Sequence, residues 1–300
     1  MRNVIKALAF AAAVSAMASL QAADGTWGAG AITGGGSYAY VNGISLYYEI
    51  HGTGKPLVLL HGGLGAIEMF GESLGKVAQG RQVIAVDLQG HGRTADVDRP
   101  LDHALMADDV AALIARLELG RADVMGYSLG GVVALQVAIR HPQLVDRLVL
   151  ASTPFKRDAY YPDILAQQAM IAAAAADAMK NTPMYELYTR LAPRPQDFPR
   201  LLDKLGALMK ADYDLSRQIA GIEARTLVVA GDADIFPPSH AVELFALLGG
   251  GQRDGGWDGS GRPKSRLAIL PGVTHYTMFA TPELAELAIR FLDEGATTAE

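Results

Sequence analysis

Gly126-Tyr127-Ser128-Leu129-Gly130-Gly131 follows the short apolar run Ala122-Asp123-Val124-Met125 and leads into Val132-Val133-Ala134-Leu135-Gln136-Val137-Ala138. That order reads as a strand, a tight turn and a helix, with glycines that let a strained turn push the serine hydroxyl outward. The Gly-x-Ser-x-Gly spacing occurs a second time, at Gly71-Glu72-Ser73-Leu74-Gly75, behind Ala66-Ile67-Glu68-Met69-Phe70. That preceding stretch lacks the β-branched run of a strand, and a chain with 33 glycines yields such a match by chance. Ser128 is the candidate nucleophile.

Working outward from Ser128, strands and helices take turns. Residues 37–51 alternate around Asn42-Gly43, a turn pair that closes a β-hairpin. Apolar runs at 56–61, 82–87, 147–152, 226–230 and 267–270 read as buried strands, and residues 105–119 and 282–292 have helical periodicity. Near-continuous apolar strands separated by helices imply an α/β fold: a mostly parallel, twisted sheet covered on both faces. Between 156 and 221 the strand signal disappears. An Ala-rich helix over 163–180, a second over 184–191, a Pro-rich turn and a further helical stretch to 209 read as an inserted helical cap. The core is then 38–155 together with 222–300. Tyr160, Tyr161, Met170, Met184, Tyr185, Tyr188 and Phe198 either line a pocket under this cap or pack it onto the body. A Gly-rich insertion at 249–264 enters the last strand from its N-terminal side, and is read as unrelated to catalysis.

Composition narrows the function classes. Half of the 300 residues are hydrophobic, 19% are charged and the formal net charge is −6. A large core is available, and no basic stripe offers a footprint for nucleic acid. The absence of cysteine removes disulfides, thiolate metal sites and a cysteine nucleophile. Arg2 and Lys6 followed by an apolar stretch to Leu20 read as a signal peptide over 1–22, with Ala16-Met17-Ala18 or Leu20-Gln21-Ala22 before the cleavage point. Export to the periplasm or medium is the expectation, with no stable membrane insertion; residues 23–37, rich in glycine, read as a flexible linker.

A serine hydroxyl needs a base, and the base needs an orienting acid. Of seven histidines, His275 in Leu270-Pro271-Gly272-Val273-Thr274-His275 lies on a loop just beyond the last strand, at the sheet edge where such sites form. His240 starts a helix, His61 and His91 sit in Gly-rich turns, and His51, His103 and His141 stand at element ends as exposed residues. Gly231-Asp232-Ala233-Asp234 places two carboxylates beyond the strand 226–230, one for the acid and one for bracing the loop or capping a helix. Backbone N–H groups that could receive an oxyanion are those of Leu129 and, after the strand ending at His61, of Gly63 or Leu64.

His61-Gly62-Gly63, Asp87-x-x-Gly90-His91-Gly92, Gly126-Tyr127-Ser128-Leu129-Gly130-Gly131, Gly231-x-x-Asp234 and Pro271-Gly272-x-x-His275 together resemble the ordered signatures of the α/β-hydrolase superfamily. The resemblance runs from about residue 38 to 292. It implies a Ser128–Asp234–His275 triad, an oxyanion hole of the Gly63 and Leu129 amides, and no cofactor or metal. Members with haloalkane dehalogenase or epoxide hydrolase activity carry Asp at the elbow, so Ser128 argues against both. Gln89 and Thr94 depart from the Arg and Ser frequent in the family, which puts the contacts of that loop in question. The expectation is a serine hydrolase of small or medium hydrophobic carboxylic esters or lactones. A serine aminopeptidase or amidase, a C–C hydrolase and a perhydrolase share the triad, and a non-catalytic binding protein is the alternative from another class.

Overall fold

A computed structural model of the chain describes residues 35–294. The signal-peptide reading, most of the linker and the last six residues lie outside them. Eight strands form one sheet: β1 (Gly36–Val41), β2 (Ile44–His51), β3 (Lys55–Leu60), β4 (Arg81–Asp87), β5 (Ala122–Tyr127), β6 (Val145–Ala151), β7 (Arg225–Ala233) and β8 (Arg266–Thr274). Their order is β1-β2-β4-β3-β5-β6-β7-β8. β1 and β2 form the antiparallel hairpin, β2 pairs antiparallel with β4, and all later pairings are parallel. The hairpin turn has φ 46° at Asn42 and 81° at Gly43. Two positive φ values in a two-residue loop match the twist of the flanking strands.

The central strands are buried on both faces, which is why they read as unbroken apolar runs. In β3, Val58 and Leu60 belong to one core cluster and Leu57 and Leu59 to the other; in β4, Ile84 and Val86 oppose Val83 and Ala85. Helices α1 (Gly71–Val77), α2 (His103–Arg116) and α3 (Leu129–Arg140) come from the crossovers. Asp102 caps α2 by accepting the Ala104 and Leu105 amides at 2.8 and 2.9 Å. Because β4 precedes β5 in the chain but lies beyond β3 in the sheet, the connection direction reverses at β3. Crevices at such reversals, beyond the strand C-termini, are where ligands bind.

Between β6 and β7 run α4 (Pro162–Gln168), α5 (Ala176–Met179), α6 (Pro183–Leu191), α7 (Phe198–Lys210) and α8 (Ser216–Ile219). The continuous Ala-rich helix expected over 163–180 is broken. The chain is extended at Ala172 (φ −166°, ψ 168°) and makes a 3-10 turn at Ala173–Ala175 before α5. Helix α7 crosses there so closely that a Cβ on Gly206 would stand 1.9 Å from the Ile171 carbonyl oxygen, while Asp203 accepts the Ala173 amide at 2.6 Å. Tertiary contact overrides the helix propensity of alanine. The same segment is tied to the body through Asp96, which accepts Arg200 Nε and Lys204 Nζ, each at 2.6 Å. Helices α9 (Pro238–Leu247) and α10 (Pro282–Asp293) complete the sheet cover. The Gly-rich insertion joins α9 to β8, whose first residue Arg266 pairs with Leu227 near the start of β7. It therefore sits at the N-terminal edge.

The two Gly-x-Ser-x-Gly matches have opposite surroundings. A Cβ on Gly126 would stand 2.2 Å from the Gly130 carbonyl oxygen, and one on Gly130 2.3 Å from that of Leu60. Gly75 lies inside α1 with nothing within 4 Å of such an atom. Gly130→Ala should cost about 1–3 kcal/mol through overpacking, whereas Gly75→Ala should stabilise by about 0.5–1 kcal/mol through helix propensity. Urea-unfolding midpoints read both; shifts of the same sign would contradict the close strand–helix approach.

Candidate active site

The sheet register gathers the sequence candidates at one edge. Leu60 of β3 pairs with Gly126 of β5, so His61-Gly62-Gly63 and Ser128-Leu129 emerge side by side. Tyr127 pairs with Ala151, Ala151 with Val229, and Ala233 with Thr274, which brings the ends of β5, β6, β7 and β8 together. Ser128 has φ 53° and ψ −117°, a conformation non-glycine residues seldom adopt. Its amide donates to Ala151 O at 3.0 Å, and its carbonyl accepts the Val132 amide at 3.1 Å. The turn is thus fixed from both sides, and the half-buried side chain projects from the tip of β5.

His275 Nε2 lies 3.0 Å from Ser128 Oγ, and His275 Nδ1 lies 2.7 Å from Asp234 Oδ1. Burial pushes the Asp234 carboxyl up, but the His275 hydrogen bond and charge, with donors from Ser152 and the Ile235 amide, hold it below the usual carboxylate range. Facing an ionised carboxylate, Nδ1 carries the proton, which leaves the Nε2 lone pair directed at the serine. Asp232 takes the other role weighed for it: its Oδ1 accepts the Gly272 amide at 2.8 Å and braces the irregularity in β8.

Two positioning contacts were not singled out from the sequence. Ser152 Oγ donates to Asp234 Oδ2 at 2.5 Å, and the Tyr127 hydroxyl donates to the His275 carbonyl at 2.7 Å. Tyr127 ends β5 and Ser152 directly follows β6 at the same sheet edge, and that placement was the signal available. The other histidines divide differently from expectation. His51 is buried and its Nε2 lies 2.9 Å from Glu49 Oε2, because its place at the end of an inner strand covers it. His103 is half-buried in the wall of the cavity described below, and His141 is half-buried against Asp108 at 2.7 Å. His240 stacks on Phe155 with ring centroids 4.1 Å apart.

His61 and His91 stabilise the turns beside the site. His61 Nε2 accepts the Leu88 amide at 3.0 Å, so Nδ1–H donates to Gly62 O at 2.7 Å, an oxygen that also accepts the Gly65 amide at 3.1 Å. In a trans peptide the C=O and the following N–H point to opposite sides. Pinning Gly62 O therefore turns the Gly63 N–H away from the His61 ring, and among the described residues no acceptor takes it. Leu129, the first residue of α3, likewise has no intrahelical acceptor for its N–H. The loop around Gln89 and Thr94 is satisfied despite its unusual residues: Gln89 bridges Asp96 and Arg99 at 2.9 and 2.7 Å, and Thr94 Oγ1 accepts the Tyr47 amide at 2.8 Å.

A cavity of about 230 Å³ opens over Ser128 and His275. Gly63, Leu64 and Leu129 line its inner wall; Ile164, Ile171, Met184, Leu205 and Leu208 form its roof. No Asp, Glu, Lys or Arg lines it. Of the cap residues weighed for this role, Tyr160 and Met184 face the cavity. Tyr188 and Phe198 belong to the core, Tyr185 packs edge-on against Phe198, Tyr161 is exposed, and Met170 is outside the lining. Among the described residues no helix is long and apolar enough to cross a membrane.

Burial pushes the pKa of His61 down to about 3 and that of His91 down to about 4. These values lie below that of an unfolded histidine, so the stability gained by keeping each ring neutral is present above about pH 6.5 and is lost as pH falls. The loss is roughly 1 kcal/mol per pH unit for each ring. Asp87, pushed up to about 7 by burial, has the opposite sign, so ring titration is the cleaner test. In carbon-13 histidine spectra both rings should remain neutral at pH 5; titration near 6.5 would contradict their burial.

The model of the alpha/beta hydrolase fold family matches residues 55–205. The AB hydrolase superfamily protein YisY of Bacillus subtilis is 31% identical over 224 residues, 67% of this chain and 82% of that protein. A RutD protein of Yersinia enterocolitica, named provisionally as a carbamate hydrolase, is 31% identical over 235 residues, 71% of this chain and 82% of its own length. The carboxylesterase CesB of Bacillus subtilis superposes with a TM-score of 0.68 at 19% identity, over 96% of this chain and 99% of that one, a likeness of fold. The chain belongs to the α/β-hydrolase fold family and is a hydrolase of that fold.

Proposed function

We propose that the protein hydrolyses neutral carboxylic esters, small to medium hydrophobic esters or lactones, through an acyl-enzyme on Ser128. The observation that carries this reading is the unbroken relay from Asp234 through His275 to Ser128 Oγ, with steps of 2.7 and 3.0 Å, at the floor of an uncharged cavity. His275 Nε2 takes the hydroxyl proton as Oγ attacks the carbonyl carbon. Asp234 holds the imidazole in the required tautomer and stabilises its cation. The oxyanion is received by the Gly63 and Leu129 N–H groups, each worth about 3 kcal/mol in the transition state. Collapse expels the alcohol, which leaves with the proton from His275. Water activated by the same nitrogen then releases the acid and restores the serine.

The cavity lining also separates this reading from the aminopeptidase alternative. An amine-recognising site needs a carboxylate to receive the ammonium group, and none lines this cavity. The likeness to the RutD protein favours carbamates as a second substrate class, since the same relay attacks a carbamate carbonyl.

Ser128→Ala should lower kcat/KM for p-nitrophenyl butyrate by more than about 10⁴-fold. Leu129→Ala should cost less than about tenfold, because the main-chain N–H and not the side chain meets the oxyanion. Steady-state kinetics on a panel of esters, lactones and carbamates measures both. Hydrolysis that survives Ser128→Ala would sink the proposal.

A further inference from the structure

Beyond Ser128 and His275, the polar side chains lining the cavity include Tyr127, Gln167 and Tyr276, and a group formed by His103, Tyr160, Gln168 and Tyr213. His103 comes from the start of α2 on the body, the other three from the segment between β6 and β7. The His103 and Tyr213 rings lie 5.4 Å apart, centroid to centroid. Burial drives the Tyr160 hydroxyl up to about 12, and the neighbouring Tyr213 and Gln168 side chains act in the opposite direction. Burial also holds His103 down to about 4, so its ring is neutral at physiological pH. Gln168 is only 7% exposed, and its Oε1 has no hydrogen-bond partner. An unsatisfied buried acceptor is costly and calls for a donor.

We propose that this cluster is a polar subsite that receives a hydroxyl group carried by the substrate, so that the preferred substrates are uncharged hydroxy esters. The inference rests on the ester-hydrolase reading above and adds the chemistry of the rest of the molecule. A carboxylate or an ammonium group would leave water without a counter-charge, because no charged side chain lines the cavity. A ketone oxygen only accepts, and leaves Gln168 Oε1 unpaired. A hydroxyl both donates and accepts. It therefore pairs with Gln168 whichever way the amide is turned, and accepts from a neighbouring phenol or imidazole N–H.

The test compares p-nitrophenyl ω-hydroxyalkanoates of six to eight carbons with esters in which CH₃ replaces the terminal OH. At the chain length that reaches the cluster, the wild-type hydroxyl-to-methyl ratio of kcat/KM should be about tenfold or more, as sites that pair a substrate hydroxyl reject its apolar analogue. Gln168→Met and Tyr160→Phe should each bring the ratio toward one, and the two variants guard against loss of folding in either. A wild-type ratio of one or below at every length, as expected where the cluster holds only a resident water, would overturn the proposal. So would a preference that survives both substitutions. If no ester is turned over, the hydrolase reading fails by itself. The subsite is then read by calorimetric binding of 6-hydroxyhexanamide against heptanamide, where equal affinities overturn it.

Discussion

A side-chain-bearing residue held at φ 53° on the tip of a buried strand is the constraint on which the site depends. Such a conformation costs on the order of 1–3 kcal/mol and persists only where surrounding contacts over-determine it. Here the contacts are the Ser128 amide on Ala151, the Val132 amide on the Ser128 carbonyl, and strand and helix packed too closely at Gly126 and Gly130 for any Cβ. The strain is local, and its consequence is positional. It lifts one hydroxyl off the sheet edge to where a loop from β8 can meet it.

The sheet solves the remaining problem of bringing together residues 128, 234 and 275. Parallel pairing of β5, β6, β7 and β8 aligns their C-terminal ends, so residues far apart in the chain become neighbours without long loops. Burying the Asp234 carboxylate is unfavourable alone. It is offset by Ser152 Oγ, the Ile235 amide and the His275 Nδ1–H, which together keep it ionised. An apolar cavity without charged walls then raises the strength of each of these interactions near the reacting atoms.

Much of this was legible in the sequence because it is local. The alternation of β3 and β4 residues between two cores makes a run of apolar residues at 56–61 or 82–87 recognisable, and Asn42-Gly43 announces its hairpin. Ser128, Asp234, His275 and Gly63 each follow a strand in a recognisable turn. What the sequence hid depends on contacts between distant segments. Nothing near Ala172 says that α7 will pass against it and break the alanine-rich helix. Ser152 reads as the last residue of a strand until Asp234 is placed beside it. His51 and His103 looked exposed because element ends usually are, and only the neighbouring strand and the helices above the site cover them.

The central claim is that the Asp234–His275 pair makes one serine hydroxyl reactive. Mass spectrometry of the protein treated with a fluorophosphonate, followed by peptide mapping, tests it most directly. One adduct per chain on Ser128, lost in His275→Ala, is the result this account predicts. No adduct, an adduct on Ser73 or Ser152, or labelling of Ser128 that persists without His275 would contradict it.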